Sequence, residues 1–181
     1  EFKTKPDCAI FADTQWEPQT VYDHLDWLQD LSDAAGIPVY RVTAGNIRND
    51  VLAHNRRSGS IPAFTQNADG TVGRLWRQCT QDYKIQPIRA KIRELMGGKT
   101  HGKQAELWMG ITIDEAQRMK PSRVGYIKHR WPPIEQRLSR NDCLLWLERH
   151  GYERPPKSSC IGCPLHDTRY WQWLKRTAPD E

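Results

Sequence analysis

Three consecutive segments between residues 7 and 42 constrain the fold of this 181-residue chain more than any other part of it. The apolar run Asp7–Ala12, followed by Asp13, is typical of a buried parallel strand with a polar residue at its carboxyl end. A helix is predicted from Pro18 to Ala35, since apolar side chains recur there at helical spacing and Gly36 follows in the usual stop position. Its apolar positions are Val21, Leu25, Leu28 and Leu31. With a second strand at Pro38–Val42, the order is that of a βαβ unit and predicts an α/β fold.

Further elements extend this pattern. Turn-forming residues at Asn67–Gly70 predict a hairpin between Ala63–Thr65 and Thr71–Gly73. Helices are predicted at Ile47–His54, Lys84–Met96, Ser139–His150 and His166–Arg176, and strands at Ala105–Ile113 and Val124–Lys128. We expect a three-layer α/β sandwich around a mostly parallel sheet that contains Cys8–Ala12, Val39–Val42 and Ala105–Ile111. The chain is predicted to be a single domain, 1–181, whose last part, 139–181, is a helical segment that carries cysteines.

The charge distribution narrows the classes of partner. The net charge is +5, but residues 1–36 carry two basic and eight acidic side chains, whereas residues 37–176 carry 25 basic and 12 acidic ones. A basic body suits nucleotides or nucleic acid, although a solvated basic surface would have the same composition. No apolar run approaches the ~20 residues of a membrane-spanning helix, and no secretory signal pattern opens the chain. The sequence therefore predicts a soluble, cytoplasmic protein without a membrane partner.

Cysteine spacing gives the strongest chemical signal. Cys160 and Cys163 form a Cys-x-x-Cys motif followed by Pro164, in which Gly162 is expected to permit a tight turn. Such a pair serves as a redox couple, half of a zinc site or half of an iron–sulfur site. Its place near the C-terminus, after a polar loop, disfavours the redox couple, because such couples usually lie where a strand leads into a helix.

The other cysteines supply candidate partners for this pair. Cys8 lies inside the first predicted strand and is expected to be a core residue. Four cysteines remain, which is the ligand number of a cubane cluster or a structural zinc site: Cys79, Cys143, Cys160 and Cys163. If Cys143 is instead a buried helix residue, His166 is the substitute fourth ligand.

Five motifs, in order along nearly the whole chain, resemble those of the phosphoadenosine phosphosulfate (PAPS) reductase family in the adenine-nucleotide α-hydrolase superfamily. They are similar above all to the iron–sulfur branch that contains the DNA phosphorothioation sulfurtransferase and many phage-borne relatives. The motifs are Ile10–Thr14 with Glu17-Pro18, Arg77–Thr80 with Tyr83–Ile88, Gly110–Glu115 with Arg118, Trp131–Glu135 followed by Ser139–Asp142, and Cys160–Pro164.

This resemblance implies an iron–sulfur-dependent, nucleotide-using sulfur-transfer or reductase-type enzyme. It implies a [4Fe–4S] cluster, with zinc as the alternative, and ATP or an adenylyl sulfonucleotide as the second cofactor. An adenine nucleotide, a nucleic-acid substrate and a sulfur-donor protein are the partners it implies. The fold that it implies is the adenine-nucleotide α-hydrolase sandwich.

The resemblance also implies roles for particular residues. The implied cluster ligands are Cys79, Cys143, Cys160 and Cys163. The implied nucleotide-binding residues are Asp13, Thr14, Gly110, Asp114 and Arg118. Of these, Asp13, Thr14 and Gly110 should line one pocket at the carboxyl edge of the sheet. The implied catalytic residues are Asp13, Arg77 and Lys84, the last two as cations that neutralise phosphate or sulfate.

One departure from the family pattern is clear. The family opens with a strand and a Ser-Gly-Gly-x-Asp-Ser-like pyrophosphate loop, and nothing similar precedes Asp7. We expect an upstream segment with that strand and loop. Without that loop, this chain would lack the group that holds the nucleotide phosphates and would be inactive in nucleotide turnover.

Two other functions fit parts of the sequence. An assimilatory reductase of PAPS or adenylylsulfate would use a C-terminal nucleophilic cysteine, but no cysteine follows Cys163. A non-catalytic, metal-stapled module that binds nucleic acid would explain the basic body and the eight tryptophans.

Overall fold

The structure is a computed structural model that describes residues 4–53 and 61–180. It is a mixed α/β protein whose described residues form two compact units, one up to Lys91 and again from Pro156, the other from Ile92 to Pro155. The segment 139–181 is thus divided between the units. That the whole chain is one domain stays a prediction.

The elements follow one another in the predicted α/β order. Strands are β1 (Ala9–Asp13), β2 (Val39–Thr43), β3 (Phe64–Gln66), β4 (Val72–Arg74), β5 (Ala105–Trp108) and β6 (Ile127–Arg130). Helices are α1 (Gln19–Ala34), α2 (Ile47–Leu52), α3 (Gln86–Leu95), α4 (Pro132–Glu135), α5 (Arg140–Arg149) and α6 (Thr168–Thr177). A π-helix covers Thr80–Ile85 and a 3₁₀-helix covers Ile113–Arg118. No helix in the described ranges is both long enough and apolar enough to cross a membrane.

The first unit is built on the predicted βαβ arrangement. Strands β1 and β2 pair in parallel, from Ala9 opposite Val39 to Asp13 opposite Thr43. Helix α1 connects them and ends before Gly36, whose φ of +65° suits glycine. The strand–helix–strand prediction is confirmed.

Burial in this unit differs from the predicted pattern. Within α1, Val21 and Leu25 are buried, whereas Leu28 and Leu31 at the other end of the apolar stripe are exposed. Cys8 lies directly before β1 and is only half-buried, so it is not the core strand residue expected from its apolar neighbours. The first unit buries its core around Ala12, Val21, Leu25, Ile47 and Tyr83.

The hairpin prediction is confirmed. Strands β3 and β4 pair antiparallel, with Phe64 opposite Arg74 and Gln66 opposite Val72. The turn closes with a bond from the Gly70 N–H to the Asn67 carbonyl (2.9 Å), and Gly70 has a φ of +83°. The expected helix Ile47–His54 is observed as α2, which ends at Leu52. His54, the last residue of the expected helix, lies outside the described residues.

The helix predicted from Lys84 to Met96 begins earlier than expected. Helical structure starts before Lys84, because the π-helix Thr80–Ile85 leads directly into α3. Pro87 has no N–H to donate to the carbonyl of Tyr83, so an ordinary α-helical bond is lost at this point. The wider π-type spacing before Pro87 accommodates that loss.

The second unit contains β5, β6, α4 and α5. Strands β5 and β6 pair in parallel, from Ala105 opposite Ile127 to Trp108 opposite Arg130. The predicted strand Ala105–Ile113 is too long, because β6 leads into Trp131 and Pro132, and proline cannot donate a ladder hydrogen bond. Helix α5 begins as predicted at Ser139, whose side chain forms a reciprocal capping box with Asp142.

Among the described residues, the strands form three two-stranded sheets: β1 with β2, β3 with β4, and β5 with β6. Two of these sheets are parallel. The small parallel sheets and the helices support the α/β class. A single sheet that also contains Ala105–Ile111, and the three-layer sandwich built on it, stay predictions.

Candidate functional site

The candidate site begins at the carboxyl end of β1. Asp13 Oδ1 accepts hydrogen bonds from the Gln15 N–H (2.7 Å) and from the Tyr22 hydroxyl (2.9 Å). Gln15 has a φ of +56°, an uncommon backbone conformation that the bond to Asp13 stabilises. Asp13, predicted to be a catalytic and nucleotide-binding residue, therefore shapes the turn after the strand.

Thr14, the next residue, connects β1 to the cysteine motif. Its backbone carbonyl accepts from the Ile47 N–H (3.1 Å), and the residue is only 1% exposed. Its hydroxyl lies 3.1 Å from the sulfur of Cys160, 146 residues later in the chain. The predicted nucleotide-binding residue Thr14 and the predicted metal ligand Cys160 are therefore direct neighbours.

The cysteine loop, residues 158–166, forms a tight turn on itself. The Cys160 carbonyl accepts from the Cys163 N–H (3.1 Å), and the Cys163 carbonyl accepts from the His166 N–H (3.1 Å). The His166 ring nitrogen Nε2 lies 2.9 Å from the Cys160 carbonyl. Because a carbonyl oxygen only accepts, Nε2 carries the proton, and Nδ1 of the neutral ring keeps its lone pair. Burial lowers the pKa of His166 and so favours that neutral form.

Gly162 has a different role from the one predicted. Its φ is not positive, so the turn does not need glycine for its backbone conformation. A Cβ atom there would lie 2.0 Å from Cη2 of Trp16, which no side chain could accept without movement. The adjacent Ile161 N–H donates to the Trp16 carbonyl (2.8 Å). Glycine is required because the cysteine loop packs directly against the residues that follow β1.

Glu17 is a buried carboxylate that ties three segments together. Its side chain is 0% exposed. One oxygen pairs with the ammonium of Lys84 (3.3 Å), and the other accepts from the hydroxyl of Ser158 (3.1 Å). The predicted phosphate-neutralising cation Lys84 is thus held by Glu17, and its side chain remains 36% exposed. Glu17 joins the loop after β1 to the π-helix and to the cysteine loop.

Sequence reasoning assigned no role to Glu17, although it belongs to one of the quoted motifs. No local sequence signal marked its burial, because its partners Lys84 and Ser158 are distant in the chain. Ser158 and Trp16 were also missed.

The pKa of Cys160 depends on burial and on several charged or polar groups. Burial raises the pKa of the Cys160 thiol above its ordinary value, while the hydrogen bond with Thr14 lowers it. Glu17 and Cys79 raise the pKa of Cys160 further, and Lys84 lowers it. Cys79 is therefore near enough to act on the charge of Cys160. Arg77 is exposed two residues before Cys79.

Parts of this site fit a sulfur-liganded metal or cluster. Cys79 affects the pKa of Cys160, and Cys163 lies in the same turn as Cys160. The hydroxyl of Ser159 is buried beside Cys160 without a hydrogen-bond partner, so it is a donor available to a bound sulfide or thiolate. Within residues 4–53 and 61–180, however, no group of three or more His, Cys, Asp or Glu side chains is arranged to hold a metal ion. The full ligand set stays a prediction.

The remaining predicted site residues lie in the second unit. Asp114 Oδ2 accepts from the backbone N–H of Arg140 (2.6 Å), and Arg118 pairs with Glu115 (2.6 Å) on the surface. Burial raises the pKa of the Cys143 thiol, with smaller contributions from Asp142 and Asp114. Asp114 and the fourth predicted ligand, Cys143, therefore lie near each other. Gly110 follows β5, and a Cβ atom there would meet no neighbour within 4 Å.

A shallow depression lies beyond the end of β2. Its lining is Thr43, Ala44, Asp82, Gln86, Pro87 and Ala90. The lining contains one carboxylate and no cation, so it lacks the charge that a phosphate group needs. The predicted phosphate cations Arg77 and Lys84 are not part of this depression.

No protein-family model, curated protein or solved structure matches this chain. The similarity to the PAPS reductase family consequently remains a hypothesis based on the five motifs.

Proposed function

We propose that this protein is an iron–sulfur-dependent enzyme of nucleotide-using sulfur transfer, similar to PAPS reductases, with a [4Fe–4S] cluster or a zinc ion in its cysteine site. The observation that carries the proposal is the 3.1 Å contact between the Cys160 sulfur and the Thr14 hydroxyl at the carboxyl end of β1. Ligands of open α/β proteins bind at that end of a strand, and here a cysteine motif reaches it from the other end of the chain.

The cysteines in this proposal act as one ligand set. Cys79, Cys143, Cys160 and Cys163 would hold the cluster, which when bound supplies a thiophilic, electron-accepting centre beside the nucleotide. The Thr14 hydroxyl would donate to the Cys160 sulfur, and the unpaired Ser159 hydroxyl would be available to a bound sulfide or thiolate. Such bonds would stabilise the thiolate form that a metal requires.

Basic and polar residues would bind the nucleotide, either ATP or an adenylyl sulfonucleotide. Asp13, Thr14, Gly110, Asp114 and Arg118 are the proposed contacts with it, and Arg77 and Lys84 would neutralise phosphate or sulfate. Lys84 is already paired with the buried carboxylate of Glu17, which fixes the direction of the ammonium group. A cytoplasmic location and a sulfur-donor protein belong to the same proposal.

The experiment that tests it is anaerobic purification of the full-length protein followed by an absorption spectrum and iron and sulfide analysis. We expect a brown protein with about four iron and four sulfide per chain, as four thiolates around a cubane require. Cys160→Ser should lose the colour, whereas Cys8→Ser, a cysteine outside the site, should keep it. A protein that binds neither iron nor zinc stoichiometrically would contradict the proposal.

Nucleotide binding separates the enzyme from a non-catalytic module. Titration of ATP and of PAPS into the full-length protein should show saturable binding that Arg118→Ala weakens. Full cluster content without affinity for either nucleotide would contradict the enzymatic part of the proposal and leave a metal-stapled protein.

A further inference from the structure

The hairpin β3–β4 has an exposed face that combines aromatic, aliphatic and basic side chains. Residues directly opposite each other in an antiparallel pair project to the same face. Phe64 therefore shares a face with Arg74, and Gln66 shares it with Val72. All four side chains are exposed, Phe64 to 61% and Val72 to 74%. The opposite face, with Thr65 and Gly73, is less exposed.

The exposed face continues beyond β4. The Leu75 N–H donates to the Ala63 carbonyl (2.8 Å), which extends the ladder by one pair. Trp76 follows and is 87% exposed, the highest value among the described large hydrophobic side chains. Arg77 comes next and is also exposed. Phe64, Val72, Arg74, Trp76 and Arg77 are called the hairpin surface below.

The charge on the hairpin surface favours a polyanionic partner. In residues 61–79, all of which the structure describes, the single acidic residue is Asp69 at the turn. Its carboxylate accepts from the Thr71 N–H (2.9 Å) and hydroxyl (2.7 Å). Arg74 and Arg77 thus face solvent without an acidic residue in the strands beside them. A symmetric contact with a second copy would place the same basic hairpin against itself, which is electrostatically unfavourable.

We propose that the hairpin surface binds single-stranded nucleic acid, with bases stacked on Trp76 and Phe64 and phosphates paired with Arg74 and Arg77. Exposed aromatic rings next to cations are the arrangement that stacks unpaired bases and follows a phosphate backbone. The bases of a duplex are stacked on each other and cannot reach such rings, so the partner is unpaired. This inference does not depend on the metal site or on nucleotide turnover.

The test is fluorescence anisotropy with full-length protein and a labelled oligothymidine of about twelve nucleotides, a length within the site sizes of known single-strand binders. Trp76→Ala should weaken binding roughly 5- to 150-fold, the effect of removing one stacking platform. Arg74→Ala should make the slope of log K against the logarithm of the salt concentration shallower by about 0.7, which is the change expected for one lost phosphate contact. Trp27→Ala is the matched control, because Trp27 is also exposed but lies on α1 between Asp26 and Asp30.

Several results would overturn the inference. One is equal affinity of wild type and Trp76→Ala, and another is an equal loss in Trp27→Ala. Equal affinity for the single strand and for the duplex of the same sequence would show that binding depends on charge and not on base stacking. Self-association in sedimentation velocity that Trp76→Ala abolishes, without oligonucleotide binding, would assign the surface to a second copy instead. Because the assay measures neither iron nor nucleotide turnover, its failure is distinguishable from failure of the proposed function.

Discussion

The cysteine loop and the hairpin surface belong to the same unit, yet they place their unusual residues in opposite ways. At the cysteine loop, polar groups are enclosed: Thr14 is 1% exposed and the Glu17 side chain is 0% exposed. At the hairpin surface, apolar groups are in solvent, with Trp76 at 87%. Enclosing polar groups lowers stability unless each is paired, and exposing apolar groups forgoes the stabilisation of burial.

An internal anchor and a contact surface differ in what the protein loses when their side chains are removed. The enclosed polar groups that contact the cysteine loop, Thr14 and Glu17, have partners within the unit, so their removal should cost stability. The side chains of the hairpin surface contribute little to the fold, so their removal should cost binding alone.

The largest effect is expected for Lys84→Ala. The variant leaves the enclosed carboxylate of Glu17 without its cation, and we expect a loss of about 3 kcal/mol in the free energy of unfolding, near the lower end for an uncompensated buried charge because Lys84 is partly exposed. Urea denaturation followed by circular dichroism measures it. The control is Arg154→Ala, which breaks an exposed pair with Glu148 and should cost less than about 1 kcal/mol. Equal losses would show that Glu17 is hydrated and not an anchor.

Gly162→Ala should have the next largest effect. The added methyl group meets the Trp16 ring, and we expect a cost of about 2 kcal/mol, within the usual range for overpacking. Gly125→Ala is the matched control, since a Cβ atom there meets nothing within 4 Å and its φ is not positive. Thermal unfolding of both variants is the measurement. A Gly162→Ala protein as stable as Gly125→Ala would mean that the cysteine loop does not pack on Trp16.

A smaller effect, visible in alkaline solution, is expected for Tyr22. Burial is the main cause that raises the pKa of Tyr22 to about 12, and its bond to Asp13 adds to the rise. The folded state therefore holds the phenol proton more tightly than the unfolded chain, whose tyrosine pKa is about 10. This contribution to stability is complete below about pH 10 and is lost as the pH rises towards 12.

Urea unfolding midpoints at about pH 9 and about pH 11 check this pH dependence, since the two values bracket the unfolded pKa. The wild-type midpoint should be at a lower urea concentration at the higher pH than at the lower pH. The midpoint of Tyr22→Phe should decrease less between the same two pH values. A wild-type midpoint with the same pH dependence as Tyr22→Phe would contradict the enclosure of this hydroxyl.

The smallest effect is expected for Phe64→Ser. Because Phe64 is already largely in solvent, its loss should change the free energy of unfolding by no more than about 0.5 kcal/mol, the usual range for surface positions. Thermal unfolding gives the value. A cost above about 2 kcal/mol, typical of a lost core side chain, would mean that Phe64 belongs to the core and would remove the contrast between the two regions.

The parts of the fold that the sequence predicted are those with local signals. The βαβ unit at β1, α1 and β2 follows from apolar spacing and Gly36, the hairpin from Asn67–Gly70, and the start of α5 from Ser139. Strand β5 was predicted too long, because its end depends on the prolines that follow its partner β6, 24 residues or more further along the chain. Pairing limits of this kind are set by a distant segment and leave no local signal.

The candidate site shows the same division. The tight turn of Cys160 and Cys163 was predictable from the motif, but the reason for Gly162 was not, since it depends on contact with Trp16. Likewise, nothing in the spacing of acidic residues distinguishes the enclosed Glu17 from its exposed neighbours on α1. Roles that arise from contacts between residues more than a hundred positions apart need the structure.

The proposed function requires that four cysteines share one bound centre, and differential alkylation followed by mass spectrometry measures whether they do. Full-length protein reconstituted anaerobically with iron and sulfide would be compared with the same protein after chelation. We predict that Cys79, Cys143, Cys160 and Cys163 are protected only in the reconstituted protein, whereas Cys8 is alkylated equally in both. Alkylation of Cys79 and Cys160 at the same rate with and without reconstitution would contradict the claim.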